Sequence, residues 1–122
     1  MQNDIEIYLR QTSDTDICQW LHGVFGSVPN AQASGRGTRR YRIVAGEVVI
    51  PLLLVKQGDW TSVWFDSAYT PWANDLECAQ DAVVKLGHTA RCTDGGWQEG
   101  DDPDRFLEVT EDGVTPVIWR DE

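Results

Sequence analysis

The longest apolar run in this chain of 122 residues extends from Val48 to Val55 and is interrupted only by Pro51. Its eight residues fall far short of the ~20 apolar residues that a membrane-crossing helix needs. The run therefore predicts a buried strand, in which alternate side chains point to opposite faces. Both faces of this strand are apolar, with Val48, Ile50, Leu52 and Leu54 on one side and Val49, Leu53 and Val55 on the other.

A strand of this kind needs cover on both faces, whereas helices packed on one side of a sheet cover only one. The sequence offers two candidates for the second face, a C-terminal hairpin or a second copy of the chain. Pro51 has no N–H to donate to a neighbouring strand. We therefore expect it at a bulge or at an unpaired edge position.

Short connections that contain glycine join three predicted strands over residues 39–45, 48–56 and 60–66. Such connections form hairpins, so these strands are expected to pair antiparallel to one another. Residues 5–10 alternate between apolar and polar types, which indicates an earlier, half-buried strand. Residues 27–38 are small and polar without periodicity, and they predict a mobile loop.

Two segments combine a capping residue, an apolar stripe and a glycine stop, the pattern of an amphipathic helix. The first begins after Ser13 and ends at Gly26. Its stripe comprises Ile17, Trp20, Leu21, Val24 and Phe25. The second begins after Asn74, whose spacing to Glu77 is that of a capping box, and ends at Gly87. Its buried face comprises Leu76, Ala79, Ala82, Val83 and Leu86.

A short strand over 88–93, a loop over 94–104 and a final hairpin over 105–110 and 114–120 complete the predicted elements. The order β-α-β-β-β-α-β followed by a β-hairpin resembles the ferredoxin-like split arrangement with one additional meander strand. We expect one α+β domain over residues 1–122. Its predicted architecture is a two-layer sandwich, a mostly antiparallel sheet with two helices on one face.

Twenty acidic residues against ten basic ones give a formal net charge of −10. Nucleic acids and anionic membranes bind clustered Lys and Arg, so this balance predicts neither as a partner. The charge is uneven, because residues 61–122 hold fourteen acids and four bases.

Four of the bases are concentrated in a short segment, at Arg36, Arg39, Arg40 and Arg42. They are candidate interaction residues, either for self-association of this basic edge with the acidic end or for capture of a charged partner. The alternative is a charged surface that keeps the protein in solution.

The residue types that carry catalysis or bind metals form no familiar motif. The cysteines are Cys18, Cys78 and Cys92, and with His88 the last two have metal-like spacing but lack a fourth ligand. The acids between Glu99 and Asp104 lack the glycine register of a calcium loop and predict a turn or a helix cap. We therefore expect free thiols, no metal and no cofactor.

Tryptophan is abundant, with six residues in the chain. Trp72 and Trp97 fall in predicted loops, one before the second helix and one after the strand that follows it. In a split β-α-β unit these connections are expected at the same end of the sheet, next to Asp66 and Tyr69. The four residues form a candidate ligand-binding site, an aromatic wall with a few polar groups. The alternative is that both indoles close the end of the core.

Four stretches carry a resemblance, namely Trp64-Phe65, Thr70–Asp75, Gly95–Asp104 and Ile118–Arg120. They are similar to stretches of a small family of bacterial conserved hypothetical proteins, over most of the chain from Val48 onward. That family has no assigned activity. The resemblance implies a bacterial cytoplasmic protein and transfers no functional residue. The N-terminus, which has neither a basic flank nor an apolar stretch of secretory length, also predicts a cytoplasmic location.

Three classes of function fit these patterns. The first is a small non-enzymatic binding or interaction domain, a possible homodimer with an unidentified protein or small molecule as partner. The second is an enzyme of unidentified class with a pocket near Trp72 and Trp97. The third is an acidic protein that mimics nucleic acid and inhibits a basic partner. We expect the first.

Overall fold

The computed structural model describes residues 4–93 and 104–119. Their strands and helices follow one another as β1 (Ile5–Arg10), α1 (Asp14–Phe25), β2 (Asn30–Gly35), β3 (Thr38–Ala45), β4 (Val48–Gln57), β5 (Trp60–Phe65), α2 (Asp75–Leu86), β6 (Ala90–Thr93), β7 (Arg105–Thr110) and β8 (Gly113–Ile118). The strands form one sheet in the order β2-β3-β4-β5-β1-β6-β7-β8, and neighbours run antiparallel. An α+β chain with a mostly antiparallel sheet is therefore confirmed. Neither helix of these described ranges is long and apolar enough to cross a membrane.

Both helices begin and end where the sequence predicts. Ser13 and Asn74 each accept the backbone N–H three residues further on, at 3.1 and 2.9 Å. Each helix stops at a glycine in the left-handed region, with a φ of 79° at Gly26 and 74° at Gly87. A residue with a Cβ is strained in that conformation, which is why glycine ends both helices.

One hydrophobic core contains side chains from both helices and from the sheet. On β1, Ile5, Ile7 and Leu9 are buried in the same cluster as Trp20 of α1 and Val83 of α2. The helix α1 contacts α2, and α2 contacts β1, β6 and β7. We call the face of the sheet that carries these three β1 residues the inner face, and the opposite face the outer face.

Residues 27–38 are not the mobile loop that the sequence predicts, because Asn30–Gly35 form the edge strand β2 beside β3. Every residue of β2 is exposed, and its register shifts between Ala31 and Ala33. Hydrophobic periodicity reports side-chain burial, and an exposed edge strand held by its backbone has none. The sheet therefore has one strand more than predicted.

Pro51 lies at no bulge, because its register opposite Arg42 of β3 is continuous. On its other side it is unpaired, since β5 pairs with β4 only from Leu52 onward. The Asp66 N–H donates to the Pro51 carbonyl at 3.0 Å. The hydrogen-bonding groups of one strand residue point to the same neighbour. Since β5 ends at Phe65, the missing proline N–H falls just beyond the last paired residue of that strand.

The C-terminal hairpin does not cover the outer side of β4. Instead, β7 pairs with β6 and β8 pairs with β7, so the hairpin extends the sheet at the edge remote from β3. This removes one of the two covers that the sequence offers. The strands β5 and β6, which flank α2 in the chain, lie on either side of β1 in the sheet.

Candidate functional site

Trp72 packs on the inner face, against the core. Its ring centroid lies 5.2 Å from that of Phe65 and 5.6 Å from that of Trp20. The indole N–H groups of Trp20 and Trp72 both donate to Oδ2 of Asp81, at 3.1 and 3.3 Å. These contacts are those of an indole that closes the core, with its polar atom bonded at the rim.

The structure places Asp66 and Tyr69 in surroundings that differ from those of Trp72. Asp66 lines an outer-face cavity of about 210 Å³ with Trp64, and Tyr69 is 72% exposed. Trp97 lies outside the described residues. Asp66 and Trp72 thus contact opposite faces of the sheet, and a pocket formed by all four residues stays a prediction.

The arginine segment is divided between the two faces of β3. Arg39 points to the inner face, where its guanidinium forms a bidentate ion pair with Asp14 of α1. The Tyr41 hydroxyl donates to the same carboxylate at 3.2 Å. Hydrogen bonds from the Arg39 guanidinium hold the pKa of Asp14 below its usual value. The ion pair of Arg39 therefore links α1 to β3.

Arg40 and Arg42 point to the outer face and are exposed, and Arg36 is exposed in the turn between β2 and β3. Alternation along a strand separates residue 39 from residues 40 and 42. The four candidate interaction arginines therefore do not form one basic edge. Two of them share the outer face.

One half of the outer face is covered by the chain's own side chains. We call it the sealed half, and it comprises Tyr8, Trp60, Arg91, Phe106, Glu108 and Trp119. The Arg91 guanidinium carbon lies 4.5 Å from the ring centroid of Trp60 and 4.8 Å from that of Trp119. Its Nη2 is 2.9 Å from Oε1 of Glu108. The cation lies over both indoles, which also contact each other, and it is paired with a carboxylate within the chain.

Trp119 closes the sealed half from the end of β8. Its ring centroid lies 4.9 Å from that of Trp60, 5.1 Å from that of Tyr8 and 5.2 Å from that of Phe106. Burial of the Tyr8 phenol, followed by the charge of the adjacent Glu6, raises the pKa of Tyr8 to about 12. This phenol therefore stays neutral at physiological pH.

The other half of the outer face lies on β3, β4 and β5. We call it the bare half, and it comprises Arg40, Arg42, Val49, Leu53, Val55 and Trp64. Val49 is 48% exposed, whereas Leu53, Val55 and Trp64 are half-buried. The Trp64 indole N–H donates to Oδ2 of Asp4 at 2.8 Å. The bare half is the second apolar side that the sequence predicts for this strand, extended by an aromatic residue of its neighbour.

A single row of paired residues crosses the bare half. Arg40 pairs with Leu53, Leu53 with Trp64, and Trp64 with Glu6 of β1. The Glu6 carboxylate accepts the Ser62 hydroxyl at 2.8 Å. Across strands ~4.8 Å apart, the row therefore runs from a base through two apolar side chains to an acid.

The neighbouring row, which begins at Arg42, also has a base at its β3 end and an acid at its β1 end. Arg42 pairs with Pro51, whose carbonyl bonds to Asp66, and Asp4 precedes β1 at the same end of the sheet. The salt bridges that form within residues 4–93 and 104–119 lie on the inner face and in the sealed half. Arg40 and Arg42 at one end of these rows, and Glu6 and Asp4 at the other, therefore form no salt bridge with the described residues.

The thiols have the properties of structural cysteines. All three are free, with Cys18 half-buried and Cys78 and Cys92 buried. Burial raises the pKa of Cys18, and it raises that of Cys78 well above its usual value. A raised pKa disfavours the thiolate, which is the nucleophilic form. In the part of the chain that the structure describes, no group of three or more His, Cys, Asp or Glu is arranged to hold a metal ion.

Comparison with protein-family models, with curated proteins and with solved structures finds no match to this chain. The resemblance to a bacterial family of hypothetical proteins therefore stays a prediction. A proposal for its function therefore rests on the chemistry of its own surface.

Proposed function

We propose that this chain is a small non-enzymatic binding module and that the bare half of its outer face is the binding surface. The observation that carries the proposal is the apolar outer side of an interior strand. Leu53 and Val55 lie on β4 between β3 and β5, and the C-terminal hairpin extends the sheet instead of covering them. Apolar patches with a charged rim are typical of interaction sites on folded proteins.

The proposal includes a two-layer architecture in which both helices cover the inner face and the central strands follow the ferredoxin-like order. The contact between α1 and α2 and their common core support this layering. An antiparallel sheet in such a sandwich keeps one face for water or for a partner. We also propose a cytoplasmic location, which the three free cysteines support.

The dimensions of the bare half favour a protein partner over a small molecule. The cavity beside Trp64 measures about 210 Å³, whereas pockets for drug-sized ligands measure roughly 300–1,000 Å³. The surface has an aromatic and aliphatic centre with arginines beside it. Interfaces between proteins combine an apolar core enriched in Trp and Arg with a polar rim.

Substituting Leu53 by glutamate tests whether the bare half binds an apolar partner. The probe is 8-anilinonaphthalene-1-sulfonate, whose rings suit Leu53 and Trp64 and whose sulfonate suits Arg40. Dye fluorescence is titrated at the lowest practicable protein concentration, so that self-association does not compete. We expect Leu53→Glu to weaken dye binding about tenfold, equivalent to ~1.4 kcal/mol, because a carboxylate repels the sulfonate and removes apolar contact.

Val84→Glu is the matched control, since Val84 lies on α2, is 77% exposed and receives the same change of charge. Circular dichroism and thermal unfolding establish that both variants are folded. The proposal is overturned if wild-type protein does not bind the dye, if Leu53→Glu binds it as tightly as wild type, or if Val84→Glu shows the same loss.

A further inference from the structure

We propose that the partner of the bare half is a second copy of this chain, packed face to face about a two-fold axis that runs parallel to the strands between β4 and β5. The inference rests on the proposed binding surface and names its occupant. Its evidence is the arrangement of charges along the rows of paired residues.

The midline between β4 and β5 divides each row into halves of opposite charge. Arg40 on β3 and Glu6 on β1 lie at the same level of the sheet, each about one and a half strand spacings, or ~7 Å, from that midline. Leu53 and Trp64 flank the midline at half a spacing. The row is thus antisymmetric in charge and apolar at its centre.

A two-fold axis along this midline, in the plane between two facing sheets, exchanges the two sides of the row and keeps the level along the strands. Arg40 of one copy then faces Glu6 of the other, and Leu53 faces Trp64. Each contact occurs twice, because an isologous interface pairs i with j and j with i. The neighbouring row places Arg42 opposite Asp4 by the same operation.

Real facing sheets cross at about 30°. At ~7 Å from the axis this rotation displaces the paired charges by about 4 Å, which an arginine side chain can span. The geometry therefore tolerates the normal twist of two packed sheets. By contrast, a two-fold axis along the row, perpendicular to the strands, would set Arg40 against Arg40 and Glu6 against Glu6.

The area of this surface sets the strength of the dimer. Four strands at ~4.8 Å spacing and five residues at ~3.4 Å rise cover roughly 20 by 17 Å. That projected area is below the ~800 Å² per partner of a standard interface. We therefore expect a reversible dimer whose dissociation constant is micromolar or weaker. The charges determine the relative orientation of its two copies.

Charge reversal tests the pairing. In a dimer of Arg40→Glu, two carboxylates meet two carboxylates, and in a dimer of Glu6→Arg, two guanidiniums meet two guanidiniums. A mixed dimer of the two variants has complementary charges at both contacts. Sedimentation velocity over a concentration series should show each variant alone associating at least about tenfold more weakly than wild type, and the equimolar mixture returning to the wild-type constant.

Arg36→Glu is the control for net charge, because Arg36 lies in the β2–β3 turn away from these rows. It should associate as wild type does. Glu6 also accepts a bond from Ser62, so folding of Glu6→Arg is checked by circular dichroism. If that variant does not fold, Arg42→Glu and Asp4→Arg, both at exposed positions, make the equivalent pair.

A wild-type protein that stays monomeric over the accessible concentrations overturns the dimer, as does a mixture that associates no better than its components. If dye binding in that case still depends on Leu53, the bare half remains a binding surface for a different protein. If dye binding is also independent of Leu53, the proposed function fails as well. A dimer that forms but does not respond to these charge reversals uses another surface and contradicts the inference.

Discussion

The sealed half and the bare half of the outer face both combine arginine with aromatic side chains, but only in the sealed half does the arginine have a salt-bridge partner among the described residues. In the sealed half, Arg91 is stacked on Trp60 and Trp119 and paired with Glu108. In the bare half, Arg40 lies beside apolar side chains without a salt bridge among the described residues. An aromatic residue next to an arginine therefore does not define a binding surface by itself.

The two halves differ because of where the chain goes after each of their strands. After β8, Trp119 turns onto the outer face and closes the cluster around Tyr8. The segments that follow β3, β4 and β5 are short turns or lead to α2, whose buried residues belong to the core. No described segment of the chain returns over Leu53, which supports the proposal that a second copy covers that half.

Removal of the closing indole should produce the largest loss of stability on this face. We expect Trp119→Ala to lower the free energy of unfolding by about 2–3 kcal/mol, because it removes three ring contacts and one of the two rings that Arg91 lies over. Urea denaturation followed by circular dichroism measures it. Trp119→Phe, which keeps a ring, should lose about half as much. A loss in Trp119→Ala of a few tenths of a kcal/mol would show that the cluster is not sealed.

The free energy of unfolding should depend on pH in the alkaline range because the Tyr8 phenol is partly buried in the sealed half. Its pKa in the folded protein is about 12, against 10.0 as the ordinary value, so the folded state holds this proton more tightly than the unfolded state. Stability is therefore retained below pH ~10 and decreases as the pH rises from ~10 to ~12. Since the phenol is only half-buried, we expect a loss of about 1 kcal/mol.

Tyr8→Phe has no phenolic proton and serves as the comparison for that titration. The free energy of unfolding, measured in urea at several pH values, should decrease less steeply above pH ~10 in this variant than in wild type. Identical slopes would contradict the burial of Tyr8 beneath Trp119.

Substitution of the bare-half indole should have the smallest effect on stability. We expect Trp64→Ala to lower the free energy of unfolding of the monomer by about 0.5 kcal/mol, since the ring is half-buried, no described segment lies over it, and its N–H bonds to the exposed Asp4. The same variant should lose dye binding, and Trp64→Phe should retain most of it. If Trp64→Ala were as destabilising as Trp119→Ala, the two halves would not differ in the way described.

Much of the fold was predictable because its signals are local. The capping residues Ser13 and Asn74 and the stops at Gly26 and Gly87 act within one helical turn, and the structure confirms both helices. Short glycine turns likewise determine hairpin pairing. The edge strand Asn30–Gly35 escaped prediction because none of its side chains is buried.

The candidate site was predicted only in part. The apolar outer side of β4 follows from alternation in the sequence, and so does its need for a cover. The roles of the indoles do not: Trp72 packs on the core and Trp119 seals the outer face. Trp72 lies in a loop, where no periodicity indicates which way a side chain points, and Trp119 lies in a predicted strand, where alternation permits either face.

The sequence by itself determined both helices, the strands other than Asn30–Gly35, and which side chains share a face of each of those strands, since these properties depend on neighbours within a few positions. Only the tertiary structure decided that Arg40, Leu53, Trp64 and Glu6 form one row, and that Arg39 is directed away from it to Asp14. Strand order and register bring together residues distant in the chain, so they depend on how all the elements pack at once. The proposed binding surface is a product of that register.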